Sequence, residues 1–330
     1  MRRLLSFCGA SAMLFSSLAT AHELNVVTTV QPLNLIVSEL TEGVAHSEAI
    51  LPAGTSPHDY ALRPSDVKKI KNADLVIWIG PQLESFLKKV LQGNSKNLAL
   101  TEQAGIDFRH YGEEDEDHDH HHDDGMENAE HDHHDHDHHH EGIDPHVWLG
   151  PKQAIEVAKV ITQQLVKQDP LHKEQYEANL SRFTSEVNQT ITQLTTELKP
   201  LTGHGYYVFH DGYGYFEEQF GLKNLGHFTV EPDRRPGAKT LISIRQALQD
   251  HQAYCVFSEP QFSPAVVDSV VNGTEVKVGT LDPMATGIVA GKGDMFDFYN
   301  SSDKVLPSVL NNNEIISGCG FFNKRATTSA

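Results

Sequence analysis

Residues Glu113 to Glu141 contain 14 Asp or Glu, 11 His and no Lys or Arg in 29 positions. Such a stretch cannot bury enough apolar surface to offset the ordering of its chain, so it is expected to be disordered when metal-free. Any fold must therefore be built from what lies on either side. The 330-residue chain carries a formal net charge of −19, which becomes −5 once this stretch is set aside. The remainder has the charge of an ordinary globular protein and the length of about two domains. Acidity without clustered Lys and Arg argues against nucleic acid as a partner.

The N-terminus has the pattern of a secretory signal. Arg2 and Arg3 precede an apolar stretch from Leu4 to Leu18, and Ala19-Thr20-Ala21 is a small-x-small cleavage site. Residues 1–21 are thus expected to be removed, leaving His22 first. The apolar stretch is short for an uncleaved membrane anchor. Bulky Phe7 and the apolar run beyond Cys8 argue against a lipoprotein ending at that cysteine. Cys255 and Cys319 then remain. Export with an even cysteine count is compatible with a disulfide between them; two buried thiols are the alternative.

Along the mature chain, strands alternate with helices. An apolar strand at Leu24 to Val30 leads to a helical pattern from Pro32 to about Leu40. A short strand near His46 to Leu51 precedes the loop Pro52 to Pro57. Pro64 opens a helix with Asp66 near its positive end. Leu75 to Ile79 is a continuous apolar run, as in a buried parallel strand, and a helix is expected from about Leu83 to Leu91. After the acidic-His stretch, Pro151 opens a helix to about Lys167. Asp169 is expected to cap a second helix with Pro170 at its first position. Tyr176, Leu180, Phe183, Val187, Ile191, Leu194 and Leu198 recur there at steps of 3 and 4. That helix runs to about Pro200 and is long enough to act as a strut between two lobes. Strands are then expected at Tyr206 to Phe209, around Phe228, at Tyr254 to Phe257 and at Glu275 to Val278. Helices are expected at Tyr213 to Phe220, Ile242 to Asp250 and Pro264 to Val271.

The expected fold class is therefore α/β: two (β/α) lobes with parallel sheets, joined by one long helix, with a binding site in the cleft between them. The divisions are an N-terminal lobe over 22–112, the disordered loop 113–141, the end of the N-terminal lobe over 142–168, the linking helix 169–200 and a C-terminal lobe over 201–330. Four groups stand where such a cleft would meet them. His58 follows the second strand, His146 lies in the Asp144-Pro145-His146 turn, His210 follows the strand at Tyr206 to Phe209, and Asp282 follows the last strand. Three imidazoles and a carboxylate suit tetrahedral Zn²⁺. No single spacing among them is diagnostic, and each histidine could instead be a loop residue bonded to backbone. Glu259, at another strand end, reads as a turn-bonding carboxylate.

Several segments carry a family resemblance. They are Leu51-Pro-Ala-Gly-Thr-Ser-Pro-His-Asp-Tyr60, Asp144-Pro-His-Val-Trp-Leu149, Val208-Phe-His-Asp-Gly-Tyr-Gly-Tyr-Phe-Glu217 and Gly279-Thr-Leu-Asp-Pro-Met284. Together they resemble the metal-binding substrate proteins of ABC transporters, most closely the periplasmic zinc-uptake type. His227-Phe-Thr-Val230, Pro236-Gly-Ala238 and Ser258-Glu-Pro-Gln-Phe262 are similar to the same family. The resemblance covers essentially the whole mature chain. It implies that His58, His146 and His210 bind zinc and that Asp282 is the carboxylate completing the site. Some zinc-specific members carry Glu directly before the first histidine. Here that position is Pro57, which leaves the fourth ligand open between Asp282 and a water. The resemblance also implies a Cys255–Cys319 disulfide, a periplasmic location, and delivery to a zinc ABC permease and its ATPase by a monomer.

Two other functions compete with zinc capture, namely a zinc-dependent surface adhesin and a metallohydrolase. A hydrolase needs a general base beside an open zinc position, and there is no H-E-x-x-H motif or comparable base beside a ligand. A cleavable signal without a lipobox argues for a free periplasmic protein rather than a surface adhesin. In the acidic loop, His118, His120, His121, His122, His131, His133, His134, His136, His138, His139 and His140 form a secondary, weaker metal-binding set. Each binding event there must order chain. The roles open to the set are collecting, buffering or sensing zinc; a plain solvated tether is the alternative.

Overall fold

Leu75-Val-Ile-Trp78 is buried at all four positions, as a parallel strand covered on both faces requires. The structure, a computed structural model, describes residues 23–111, 142–229, 232 and 234–301. The signal segment 1–21, the loop 113–141 with its eleven histidines, and Cys319 lie outside the described residues. So does the pairing of Cys319 with Cys255, which is buried in the second lobe.

The first lobe is built from β1 (Leu24–Thr28), α1 (Gln31–Thr41), β2 (Ala45–Ala49), α2 (Pro64–Asn72), β3 (Leu75–Trp78), α3 (Lys88–Leu91) and β4 (Asn97–Ala99). Its strands are all parallel, in the order β2-β1-β3-β4. A two-residue antiparallel ladder follows, β5 (His110–Tyr111) with β6 (Gly142–Ile143). Then come α4 (Pro151–Gln168) and the long α5 (Lys173–Leu198). The second lobe contains β7 (Tyr206–His210), α6 (Gly214–Phe220), β8 (Asn224–Thr229), α7 (Ala238–Gln249), β9 (Cys255–Ser258), α8 (Ala265–Val271) and β10 (Lys277–Thr280). Its parallel sheet has the order β10-β9-β7-β8. Counted within each lobe, both sheets run second, first, third, fourth. Each therefore has a switch point beside its first strand, where ligands gather at the carboxyl ends.

Three local expectations are corrected. The helix expected over Leu83 to Leu91 is a 3₁₀ turn at Ser85–Leu87 followed by the four-residue α3. Glu84 is fully buried, and its carboxylate accepts bonds from Thr29 Oγ1 (2.5 Å) and the N–H groups of Ile79 (3.2 Å) and Gly80 (2.9 Å). Wrapping the chain around that carboxylate delays the helix. Asp169 does not cap α5. Its Oδ2 binds His172 Nδ1 (2.6 Å) and Tyr176 OH (3.0 Å), and the helix starts through a 3₁₀ turn at Pro170–His172. The last strand begins at Lys277, two residues later than Glu275. The short β4 has too few residues to carry a period and is not read from the pattern.

With 26 residues, α5 spans about 39 Å at 1.5 Å per residue. Tyr176, Phe183, Val187, Leu194 and Leu198 are buried along one face, while Leu180 and Ile191 pack beside them, partly buried. Asn179 Nδ2 donates to the carbonyls of Leu40 and Glu42, 3.0 Å each, tying the helix to the end of α1. Arg182 pairs with Glu39 and Glu42. The fully buried Glu39 also accepts the N–H of Gly293, from the segment after β10. That segment returns to the first half of the chain again through Trp148 Nε1 to Pro283 O (2.9 Å) and Tyr299 OH to Trp148 O (2.8 Å). One core runs continuously through both lobes, with a smaller apolar cluster under α7 and α8.

Glu217, on α6, is buried and accepts bonds from Tyr206 OH (2.9 Å) and Asn224 Nδ2 (3.1 Å). Burial pushes its carboxyl up to about 7 from an ordinary 4.5. The folded state thus keeps a proton that the unfolded chain gives up. The stabilisation is complete below about 4.5 and is lost as pH rises through about 7. Glu217→Gln copies the neutral carboxyl. In urea unfolding of the metal-free protein, the variant is expected to gain on the parent between pH 4 and pH 8, by on the order of 2–3 kcal/mol.

Candidate metal centre

Three loops at strand ends converge in the cleft. His58 lies in the loop after β2, with its backbone N–H on Ser56 Oγ (3.2 Å). His146 sits in the turn that leads through a 3₁₀ turn at Val147–Leu149 into α4. His210 is the last residue of β7, at the switch point of the second sheet. His146 Nε2 lies 3.2 Å from His58 Nε2 and 3.3 Å from His210 Nε2. One ligand atom from each of the three falls within 4.8 Å of the others. A tetrahedral zinc with Zn–N bonds of about 2.0–2.1 Å spaces its nitrogens about 3.3 Å apart. The two measured separations match that edge.

The nitrogens facing away from this centre explain its orientation. His146 Nδ1 is bonded to Asp144 Oδ1 (2.9 Å), and His210 Nδ1 to Glu259 Oε1 (2.6 Å). A carboxylate can only accept, so Nδ1 carries the hydrogen in both rings and Nε2 presents its lone pair inward. Burial works against protonation of His210, but the Glu259 carboxylate outweighs it and holds the pKa above the ordinary imidazole value. With both rings in that tautomer, the His146 and His210 lone pairs face each other at 3.3 Å, a repulsion that a cation between them would relieve. The donor set is three borderline-soft nitrogens, two of them on rings backed by carboxylates, which suits Zn²⁺.

Asp144 is itself fully buried. Its Oδ1 also accepts the N–H of His146 (3.0 Å) and lies 3.1 Å from Tyr111 OH, while Oδ2 pairs with Arg109 (3.4 Å). Arg109 is bound as well to Glu218 on α6. Glu259, read from the sequence as a turn-bonding residue, instead orients His210. The supporting roles of Arg109 and Tyr111 have no sequence pattern to reveal them, although Asp144 was in view two residues before its histidine.

Asp282 stands apart from the three-histidine group. Its Oδ1 accepts bonds from Gln261 Nε2 (2.6 Å), Met284 N–H (3.1 Å) and Thr286 Oγ1 (3.1 Å), and its Oδ2 from Thr286 N–H (2.6 Å). Gln261 itself lines the cavity, together with the three histidines, Pro57, Trp148, Pro232, Phe262, Pro283 and Met284. The wall of the site is thus largely apolar, with polar groups at a few points.

Comparison with known proteins identifies the family. The family model described as ZnuA, zinc-uptake complex component A, periplasmic, matches residues 26–301. The high-affinity zinc uptake system protein ZnuA of Yersinia pestis is 44% identical over 316 residues, covering 91% of this chain and 96% of that protein. Among solved structures, a crystal structure of ZnuA superposes with a TM-score of 0.71 at 21% identity, covering 88% of this chain and all of the other. The laminin-binding adhesin Lmb of Streptococcus agalactiae has the same fold, with a TM-score of 0.67, 21% identity, and coverage of 87% of this chain and 99% of Lmb. At those identities the structural likeness speaks to fold alone. The family match spans nearly the whole described chain and the sequence relative is close, so the chain belongs to the ZnuA family of periplasmic zinc-uptake components.

Proposed function

We propose that this chain captures Zn²⁺ in the periplasm through His58, His146 and His210 and delivers it, as a monomer, to a membrane ABC permease and its ATPase. The observation that carries this reading is that His146 Nε2 lies at zinc-ligand spacing from His58 Nε2 and His210 Nε2, with one ligand atom of each residue within 4.8 Å of the others and two of the rings held by buried carboxylates. The signal pattern of residues 1–21 supports export. No helix among the described residues is long and apolar enough to cross a membrane. The family relatives are zinc-uptake components rather than enzymes. The acids nearest the ligands, Asp144 and Glu259, are engaged with imidazole N–H groups and are poorly placed to act as a general base. An adhesin reading has the fold in its favour but not the sequence relatives. The eleven histidines of 113–141 would add weaker sites.

Zn²⁺ binds the folded cleft and not the unfolded chain, so it should raise the melting temperature markedly. Alanine at His58, His146 or His210 is expected to remove most of that gain in differential scanning fluorimetry. Asp144→Asn and Glu259→Gln keep all three ligands but lose the acceptor-only partner of a ring. Each should weaken zinc about 10- to 100-fold in competition with a chelator.

Deleting residues 113–141 removes chain between the neighbouring ends of β5 and β6. The shortened protein should fold and keep one tight zinc while total stoichiometry falls. Calorimetric titration showing loss of the tight site would overturn the separation of cleft from loop.

His210→Glu replaces an imidazole by a harder oxygen donor. Zinc affinity should drop more than manganese affinity, narrowing the preference between them by about tenfold or more. Competitive binding on the loop-deleted protein reads this without interference from weak sites.

A further inference from the structure

The carboxylate expected to complete the site is saturated by its own loop. Asp282 accepts four hydrogen bonds, from Gln261, Met284 and Thr286. Gln261 donates both of its amide hydrogens to that loop, one to Asp282 Oδ1 (2.6 Å) and one to Thr286 Oγ1 (3.0 Å). This settles which way the amide points. A flipped amide would press its oxygen against a carboxylate oxygen at 2.6 Å, so the NH₂ group must face Asp282.

Gln261 Oε1 is therefore left on the other side, shut off from solvent and without a hydrogen-bond partner among the described residues. Gln261 lines the same cavity as His58, His146 and His210. The surrounding wall has little to offer this oxygen. Pro57, Pro232 and Pro283 carry no N–H, Trp148 Nε1 is committed to Pro283 O, and Ser56 Oγ, which accepts the N–H of His58, makes no bond to it. A buried acceptor without a donor is costly to the fold, and it calls for a donor that arrives with the ligand.

Building on the three-histidine zinc reading, we propose that Gln261 Oε1 accepts a hydrogen bond from a water that fills the fourth position on the zinc, and that Asp282 acts on the ion only by orienting Gln261. Three protein ligands and a water form a complete tetrahedral shell. A zinc-bound water is a strong donor, and a neutral amide oxygen accepts from it without adding charge to the shell. The position in front of Gln261 is the exchangeable one, open to a ligand from whatever receives the ion.

The test uses the protein without residues 113–141 and compares Gln261→Leu, Gln261→Met, Asp282→Asn and the Gln261→Leu/Asp282→Asn pair with the parent. Zinc affinity is measured by chelator competition, the fourth position by the visible absorption of the Co²⁺-loaded protein, and integrity by melting of the metal-free form. Gln261→Leu and Gln261→Met should each weaken zinc about 10- to 100-fold and shift the Co²⁺ bands, with melting of the metal-free form not lowered. Asp282→Asn should weaken zinc similarly, and the pair should lose no more than the worse single variant, because the two residues act in series. Zinc affinity within about threefold of the parent and an unchanged Co²⁺ spectrum in both Gln261 variants would overturn the proposal. Losses that multiply in the pair would overturn it too, by showing that Asp282 reaches the ion independently. His146→Ala serves as the control. If it kept tight zinc, the three-histidine reading would fail first, and this inference with it.

Discussion

The bonds from His146 Nδ1 to Asp144 and from His210 Nδ1 to Glu259 are what the cleft depends on. They fix the ring tautomers, and with them the direction of the lone pairs. Neither carboxylate could be buried unsupported, because a desolvated charge is tolerated only when paired or bonded. For Asp144 the support is a backbone N–H, an imidazole, a phenol and a guanidinium. Burial, with Asp144 and Asp211 nearby, pushes the Tyr111 phenol far up, so it stays a donor. Metal chemistry at the surface of the cleft thus rests on ordinary charge pairing a few ångströms behind it.

That support belongs to both lobes at once. Tyr111 OH lies 3.1 Å from Asp144 Oδ1 and 3.2 Å from the carbonyl of Asp211, which follows β7. Tyr215 OH on α6 donates to Asp144 O (2.7 Å) and accepts the N–H of Arg109 (2.9 Å). Drawing the lobes apart here would break the bonds of Tyr111 to Asp211 and of Tyr215 to Asp144 and Arg109, which lie behind the carboxylate that orients His146. The continuous core, the strut α5 and the buried Glu39 between α1 and Gly293 resist the same motion at the far side. Arg109 and Tyr111 also stand immediately before the acidic-His segment, and β6 immediately after it. The described residues on either side of that segment thus adjoin the network that orients His146.

Long-range patterns made the two-lobe α/β plan legible. Continuous apolar runs marked β3, and the recurrence from Tyr176 to Leu198 marked α5. His58, His146 and His210 could be singled out because each follows a strand or opens a helix, and the family motifs place them in one set. What the sequence withheld depends on contacts between residues far apart. Glu84 breaks the expected helix at Leu83 to Leu91 by bonding Thr29, 55 positions away. Asp169 forgoes its cap because Tyr176 and His172 compete for its oxygen. Glu259 looked like a turn residue because its partner, His210, is 49 positions distant. Asp282, expected as a possible fourth ligand, accepts hydrogen bonds from Gln261, Met284 and Thr286, contacts that no sequence spacing announces.

The arrangement of charge suits a carrier rather than a permanent holder of zinc. In the proposed shell, three neutral imidazoles would leave the ion's double charge uncancelled. The compensating carboxylates Asp144 and Glu259 stand one ring further out, and Asp282 behind an amide. Their attraction still favours the cation inside the cleft, where the apolar wall keeps the local dielectric low. None of them has to be pulled from direct contact with the ion when it leaves, so release does not separate bare opposite charges. A carboxylate bonded directly to zinc would deepen capture and raise the barrier to transfer together. Placing the acids behind their imidazoles separates the two quantities. In the proposed shell, tight binding would come from oriented nitrogens, and exit would require the exchange of neutral ligands only.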